Sequence, residues 1–337
     1  MGWQRNMFSK KYVVAVAMLT SAFAPSSNAE NAVSPRIVGG QDATISEAPW
    51  QAAVTIRRSG GTAFCGGIVI GSRWVLTAAH CLDLADENDA YSLAPASEVS
   101  VYTGTAVIDG ADFNNFRSGV SATFAHRDYN KDNFSNDIAL LQLSSDINAN
   151  ASSISLATLA DQSALDSNAG NNNQDLQLTG WGFTNVFGTQ STDILQKATL
   201  SAVSDSTCAS QWAAETDLNL FAIAGYENNY LCAEQSSITA CNGDSGGPLV
   251  WIDNGTSKLV GVVSFGVKTS SQNCPINRLP DVFTQVSNYS SWVSSCQVGS
   301  CNSFSPAILN SGGGGGGSFA WLSLLSLGFL TFRRRLS

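Results

Sequence analysis

Ser245 stands in the run Cys241-Asn242-Gly243-Asp244-Ser245-Gly246-Gly247-Pro248. A serine hydroxyl is a poor nucleophile until a base takes its proton and donors await the oxyanion formed by its attack. The chain holds two histidines, His80 and His126. His80 lies in Thr77-Ala78-Ala79-His80-Cys81, a setting that argues against a plain packing role. His126 has no partner motif and reads as an ordinary surface or packing residue. Asp137 precedes Ile138-Ala139-Leu140-Leu141, an apolar run that would draw its carboxylate inward. A buried carboxylate needs a partner, and His80 is the obvious one. Gly243 allows a turn in which its own N–H and that of Ser245 face one oxygen. Nucleophile, base, orienting acid and oxyanion donors are all available.

The elements that must position these groups read as all-β. Short apolar runs at 67–70, 138–141 and 259–263 are strand-sized, and Gly, Asn, Asp and Ser clusters separate them. Helical periodicity is absent until residues 286–296, which suggest one closing helix. Regularly spaced strands argue for a sandwich or a barrel. Residues 166–175 are Asn-rich and read as a surface loop.

Both ends differ from the body. Arg5, Lys10 and Lys11 precede an apolar run at 12–24, and Ser27-Asn28-Ala29 supplies small residues for cleavage before Glu30. Residues 1–29 are therefore expected to be a secretory signal, and 30–36 a short propeptide. At the other end, six glycines at 312–317 lead to a largely apolar stretch of 14 residues at 319–332 and then to Arg333-Arg334-Arg335. A glycine run holds no fixed shape, so 300–318 is expected to be a flexible linker and 319–337 a hydrophobic segment with a basic tail. The three arginines would keep that end cytoplasmic and leave the body outside. Localisation is thus expected to be secreted or at the cell surface. Between residues 37 and 310 there are 10 Lys and Arg against 25 Asp and Glu, a balance of −15 hidden behind the overall −9. So acidic a body excludes nucleic acid as a partner. Eight cysteines in an exported chain point to disulfides, with connectivity left open by counting.

Arg36 followed by Ile37-Val38-Gly39-Gly40 adds a fourth motif. Together with the His, Asp and Ser segments in that order, it makes residues 37–296 resemble the chymotrypsin/trypsin family of serine peptidases. The resemblance implies a peptidase domain over 37–299 built from two antiparallel β-barrels with a short C-terminal helix. His80 and Asp137 would come from the first barrel and Ser245 from the second. It implies disulfides Cys65–Cys81, Cys208–Cys232 and Cys241–Cys274, which leaves Cys296 for Cys301. It implies that cleavage after Arg36 frees an amine on Ile37 that pairs with Asp244, by an activating protease or by the enzyme itself. The segment Ser264-Phe265-Gly266 resembles the family's edge strand that pairs with substrate backbone. Phe265 stands where Trp is usual. The C-terminal layout resembles the glycine-glycine sorting signals of some Gram-negative bacteria, which a membrane sorting peptidase cuts; a permanent tether is the alternative.

Specificity departs from the trypsin pattern. Trypsin-like enzymes carry Asp six residues before the nucleophile, where this chain has Thr239. Asp281 occupies a position on the opposite wall that is usually Gly. A carboxylate there would welcome Arg or Lys before the cut. If Asp281 instead faces solvent in a turn with Pro280, a chymotrypsin- or elastase-like preference follows. No cofactor is implied. Thr105 replaces the first acidic ligand of the family's calcium loop, so no metal is expected. Protein or peptide substrates are the expected partners. The competing reading is a non-catalytic, surface-anchored binding protein on the same fold.

Overall fold

The computed structural model describes residues 37–309 except 87–88, 172–174, 216–220, 222–223 and 277–278. The expected signal, the propeptide with Arg36, the glycine run and the apolar tail lie outside the described residues. Among the described residues no helix is long and apolar enough to cross a membrane.

Among the described residues thirteen strands form two closed barrels of six, with one strand added. β1 (Gln41–Asp42) pairs onto the second barrel. β2 (Gln51–Arg58), β3 (Gly61–Gly71), β4 (Trp74–Thr77), β5 (Val99–Thr103), β6 (Arg117–Ala125) and β7 (Ala139–Leu143) close the first in the order β2-β3-β4-β7-β6-β5. β8 (Leu176–Gly180), β9 (Gln196–Val203), β10 (Tyr230–Glu234), β11 (Pro248–Asp253), β12 (Thr256–Phe265) and β13 (Asp281–Gln285) run β9-β10-β13-β12-β11-β8, and β8 returns to β9. All pairings between these strands are antiparallel. Closure leaves the two-residue β1 as the edge strand among the described residues.

Strand chemistry explains the two interiors. In β5, Val99, Val101 and Thr103 are buried while Ser100 and Tyr102 are less so, the alternation of a half-buried strand. The first core gathers Val54, Ile68, Leu76 and Leu140; the second gathers Leu178, Leu200, Leu249 and Phe283, with Ile37 among them.

Helices are few. α1 (Leu159–Ser167) begins on a capping box in which Thr158 and Asp161 satisfy each other's backbone N–H groups. α2 (Asp205–Glu215) follows β9, and α3 (Ser290–Gln297) closes the domain after a tight turn at Val286–Tyr289. The expected single helix is therefore joined by two others, and the expected loop at 166–175 begins inside α1. α3 buries Val293 and Cys296 against the first barrel.

The linker expected from residue 300 does not describe the stretch that directly follows α3. Residues 301–309 return to the first barrel: Ala125 N donates to Ser303 Oγ, Phe304 N to Ala125 O and Ala307 N to Leu93 O. The reason is compositional, since Phe304 and Ala307 bury apolar surface and the glycines begin only at 312.

The barrels meet backbone to backbone beside Ser245. Gly66 N donates to Ser245 O at 2.8 Å. Gly246 has φ +78°, and a Cβ there would lie 2.2 Å from Thr77 Oγ1 and 2.7 Å from Gly66 O. Only glycine meets both demands. Gly246→Ala should therefore destabilise the protein by about 2 kcal/mol or more and depress turnover, measured by denaturant unfolding and peptide hydrolysis. A stable, fully active variant would contradict this account of the barrel contact.

Candidate active site

Asp137 sits just before β7 and is wholly buried, as are Ile138, Ala139 and Leu140 behind it. Its carboxylate has three donors. Oδ1 accepts from His80 N at 2.9 Å. Oδ2 faces His80 Nδ1 at 2.7 Å and accepts from Ser264 Oγ at 2.6 Å. A carboxylate can only accept, so Nδ1 carries the proton in that contact, and in the neutral ring Nε2 is left as the base. His80 itself opens a short turn, His80–Leu82, directly after β4. Its side chain keeps 24% of its surface exposed, enough to meet a reactant.

Ser245 is half-buried in the turn before β11. The Cys65–Cys81 disulfide ties it to the histidine: Cys81 Sγ lies 3.6 Å from Ser245 O and 3.8 Å from His80 Nε2. Among the described residues no hydrogen bond joins the Ser245 hydroxyl to His80. Such contacts are often long before substrate binds. The N–H groups of Gly243 and Ser245 make no hydrogen bond among the described residues, so both are free to donate. Gly243 has φ +103°, and a Cβ there would approach Gly182 Cα to 2.9 Å.

Asp244, next to the nucleophile, faces the other way and is wholly buried. Its oxygens accept from Gly182 N at 2.8 Å and Cys241 N at 2.9 Å. Burial pushes its pKa up to about 6, against the pull of those two donors. Ile37 is also wholly buried, and Val38 pairs with Thr239.

Thr239 and Asp281 meet at one point. Asp281 Oδ1 accepts from Thr239 Oγ1 and Oδ2 from Ala240 N, both at 2.7 Å. Asp281 is 6% exposed and does not face solvent in a turn. A Cβ on Gly266 would lie 3.2 Å from Oδ1, which places the carboxylate against the Ser264–Gly266 segment. A cavity of about 310 Å³ reaches Thr239 and Asp281 past Gln211, Glu234, Pro275 and Leu279. Burial raises the Asp281 pKa to about 7, with Ala240 N and Thr239 Oγ1 opposing it. The remaining disulfides are Cys208–Cys232, Cys241–Cys274 and Cys296–Cys301.

Two roles escape sequence reasoning. Ser264, expected only as part of a substrate-pairing strand, also holds Asp137 through its hydroxyl. Phe134 places its ring edge-on to His80, centroids 5.9 Å apart, and 5.1 Å from Phe265. Its φ of +58° is rare for a bulky residue. That ring lies against His80 and Phe265. No local signal marks Phe134; its place depends on the loop 130–136 folding back, where Phe134 N donates to Asn130 O.

The double barrel and this constellation define a hydrolase of the serine-peptidase type. A profile of the trypsin family matches residues 37–293. The chain is 34% identical over 265 residues to human chymotrypsin-like elastase family member 1, across 77% of this chain and 91% of that protein. In structure it is similar to the scabies mite inactivated protease paralogue S-D1, with TM-score 0.61 and 22% identity over 79% of this chain and 100% of that one. At that identity the second likeness speaks for the fold alone. The chain belongs to the trypsin family of chymotrypsin-like serine peptidases.

Ser264→Ala should leave the fold intact yet remove one of three donors to a buried carboxylate. The expected cost is about 1–3 kcal/mol, read as a lower melting temperature with reduced peptide turnover. Unchanged stability and turnover would show that the hydroxyl does not support Asp137.

Proposed function

We propose that this chain is an exported serine endopeptidase that cuts proteins after Arg or Lys once it has itself been cleaved between Arg36 and Ile37. The observation that carries the peptidase chemistry is the buried Asp137 bonded to both His80 N and Nδ1, beside Ser245 and its two unpaired N–H groups. Ser245 attacks the substrate carbonyl and His80 Nε2 takes its proton. Asp137 holds the imidazole in the tautomer that makes Nε2 the base and stabilises the imidazolium. Gly243 N–H and Ser245 N–H receive the oxyanion. His80 then passes the proton to the leaving amine. Ser264-Phe265-Gly266 lies beside the pocket and pairs with the residues before the cut.

Activation follows from two buried groups. Asp244 has two N–H donors and no cationic partner among the described residues, and Ile37 is buried in the same barrel. Cleavage after Arg36 creates an ammonium on Ile37, which supplies the missing charge and fixes the turn that carries Gly243. Arg36→Gln should therefore give a stable precursor without activity. A precursor as active as the cleaved enzyme would remove this account of activation. The disulfides suit export, and the tail supports release or anchoring at the cell surface by a sorting peptidase.

Asp281 supports the preference for a basic residue, since its carboxylate lies against Thr239, Ala240 and Gly266. A second reading has its own support. Both Asp281 oxygens already accept hydrogen bonds, burial raises its pKa to about 7 so that the charge is only partly present at neutral pH, and the human relative carries the name elastase. A peptide library cleaved by mature enzyme starting at Ile37 decides between them. In the first reading the charged form of Asp281 appears as pH rises through about 7. Cleavage after Arg should then climb over that range relative to cleavage after Leu. The same raised pKa lends stability that is fully present below about 4 and is lost as pH rises through the folded value. Asp281→Asn should lower cleavage after Arg by about thirtyfold or more and leave cleavage after Leu nearly unchanged. Equal effects on both substrates would favour the elastase-like reading.

A further inference from the structure

The chain continues past the end of the family match at residue 293, and the continuation packs back onto the first barrel, against β6 and the stretch that follows the His80 turn. α3 ends, the Cys296–Cys301 disulfide turns the chain, and Trp292 Nε1 donates to Asn302 O at 2.9 Å. Ser303 then bridges to His126, and Phe304 N donates to Ala125 O. The Phe304 ring lands between two groups. Arg127 sits over one face, its guanidinium carbon 4.6 Å from the centroid. Tyr91 packs at 4.7 Å, and Tyr91 also meets Tyr129 at 5.1 Å.

Tyr91 follows the His80 turn, in the stretch from Asp83 to Leu93 whose two ends pair with each other. The loop is closed by Leu84 N to Ser92 O and Ala94 N to Leu82 O, both 2.8 Å. Asp83 fastens it further, accepting from Ala85 N and Ser92 N and pairing with Lys131 at 2.8 Å. Ala307 N donates to Leu93 O, so the C-terminal segment holds the end of this loop as well as its ring.

The Tyr91 hydroxyl donates to Ala79 O at 2.9 Å. Ala79 and His80 share that peptide unit. Its N–H is the group that donates to Asp137 Oδ1 at 2.9 Å. One peptide plane is therefore gripped from both sides, by a phenol at its oxygen and by the buried carboxylate at its nitrogen. A donor at the carbonyl polarises the peptide and strengthens the N–H on its far side.

We propose that residues 301–309 are a brace for the catalytic base: Phe304 fixes Tyr91, and Tyr91 fixes the peptide that presents His80 to Asp137. Both are positioning residues, since neither touches the reacting atoms. The inference rests on the serine-peptidase reading of the site. It makes the extension beyond the family domain part of the working enzyme.

The test uses the full chain cleaved after Arg36, with active sites counted by fluorophosphonate titration. Tyr91→Phe removes one hydroxyl and leaves Ala79 O with its second donor, Leu82 N. It should lower kcat about fivefold, the worth of one neutral hydrogen bond, with KM unchanged. Phe304→Ala should do the same although Tyr91 is intact, and Phe304→Tyr, which keeps a ring, should restore kcat. The double variant Tyr91→Phe with Phe304→Ala should lose no more than the larger single loss, because both act through one contact. Unchanged kcat in Tyr91→Phe, a rise in KM alone, or additive losses would overturn the brace. If Phe304→Ala unfolds, Tyr91→Phe decides by itself. Wild-type enzyme that neither hydrolyses peptides nor takes label at Ser245 would sink the peptidase reading and the brace with it. Active wild type matched by both variants would sink the brace alone.

Discussion

A wholly buried carboxylate governs this molecule. Asp137 has no solvent exposure, and an ion in that position survives only if its lone pairs are met. The donors that meet them come from two distant parts of the chain. His80 supplies a backbone and a ring N–H from the turn after β4, and Ser264 supplies a hydroxyl from the end of β12 in the other barrel. Thr284 on β13 adds a bond to the Asp137 carbonyl at 2.8 Å. The carboxylate is thus a joint between barrels as well as an orienting group, and the imidazole is fixed because the joint is.

A second constraint is how near the barrels come at the nucleophile. Ser245 reaches the first barrel through its own carbonyl and through the contact that Gly246 allows. Asp244 is turned into the second barrel by the same tight bend. One short turn therefore presents the hydroxyl, carries two N–H groups that are unpaired among the described residues, and buries a carboxyl. The pocket wall hangs from the same segment, since Thr239 and Ala240 hold Asp281 just upstream. In the function proposed above, reactivity, activation and specificity would share this stretch of backbone.

The all-β, two-barrel class was legible because alternation and short runs fix strands, and the motif residues pick one architecture among barrels. The family was legible for a narrower reason: an activated serine needs particular neighbours, and CNGDSGGP, TAAHC and NDIAL keep them local in sequence. α1 and α2 were missed because their apolar stripes are weak; the Thr158 and Asp161 spacing was the available signal for α1. Phe134 was not legible, since a left-handed Phe over an imidazole is produced by loop closure rather than by any local pattern. Tyr91 and Phe304 lie far apart in the chain, and only the return of the C-terminal segment brings their rings together. The stretch 300–318, read as one linker from its glycines, hid Phe304 and Ala307, which help hold 301–309 to the first barrel.

The central claim is that buried Asp137 makes His80 a base for Ser245. It is tested most directly by the rate and site of fluorophosphonate labelling in cleaved wild type and in Asp137→Asn, read by peptide mapping. The account predicts one label per chain, on Ser245, and labelling slower by orders of magnitude in the variant, whose amide would turn the imidazole to the wrong tautomer. Label on another residue, or equal labelling rates in the two proteins, would contradict it.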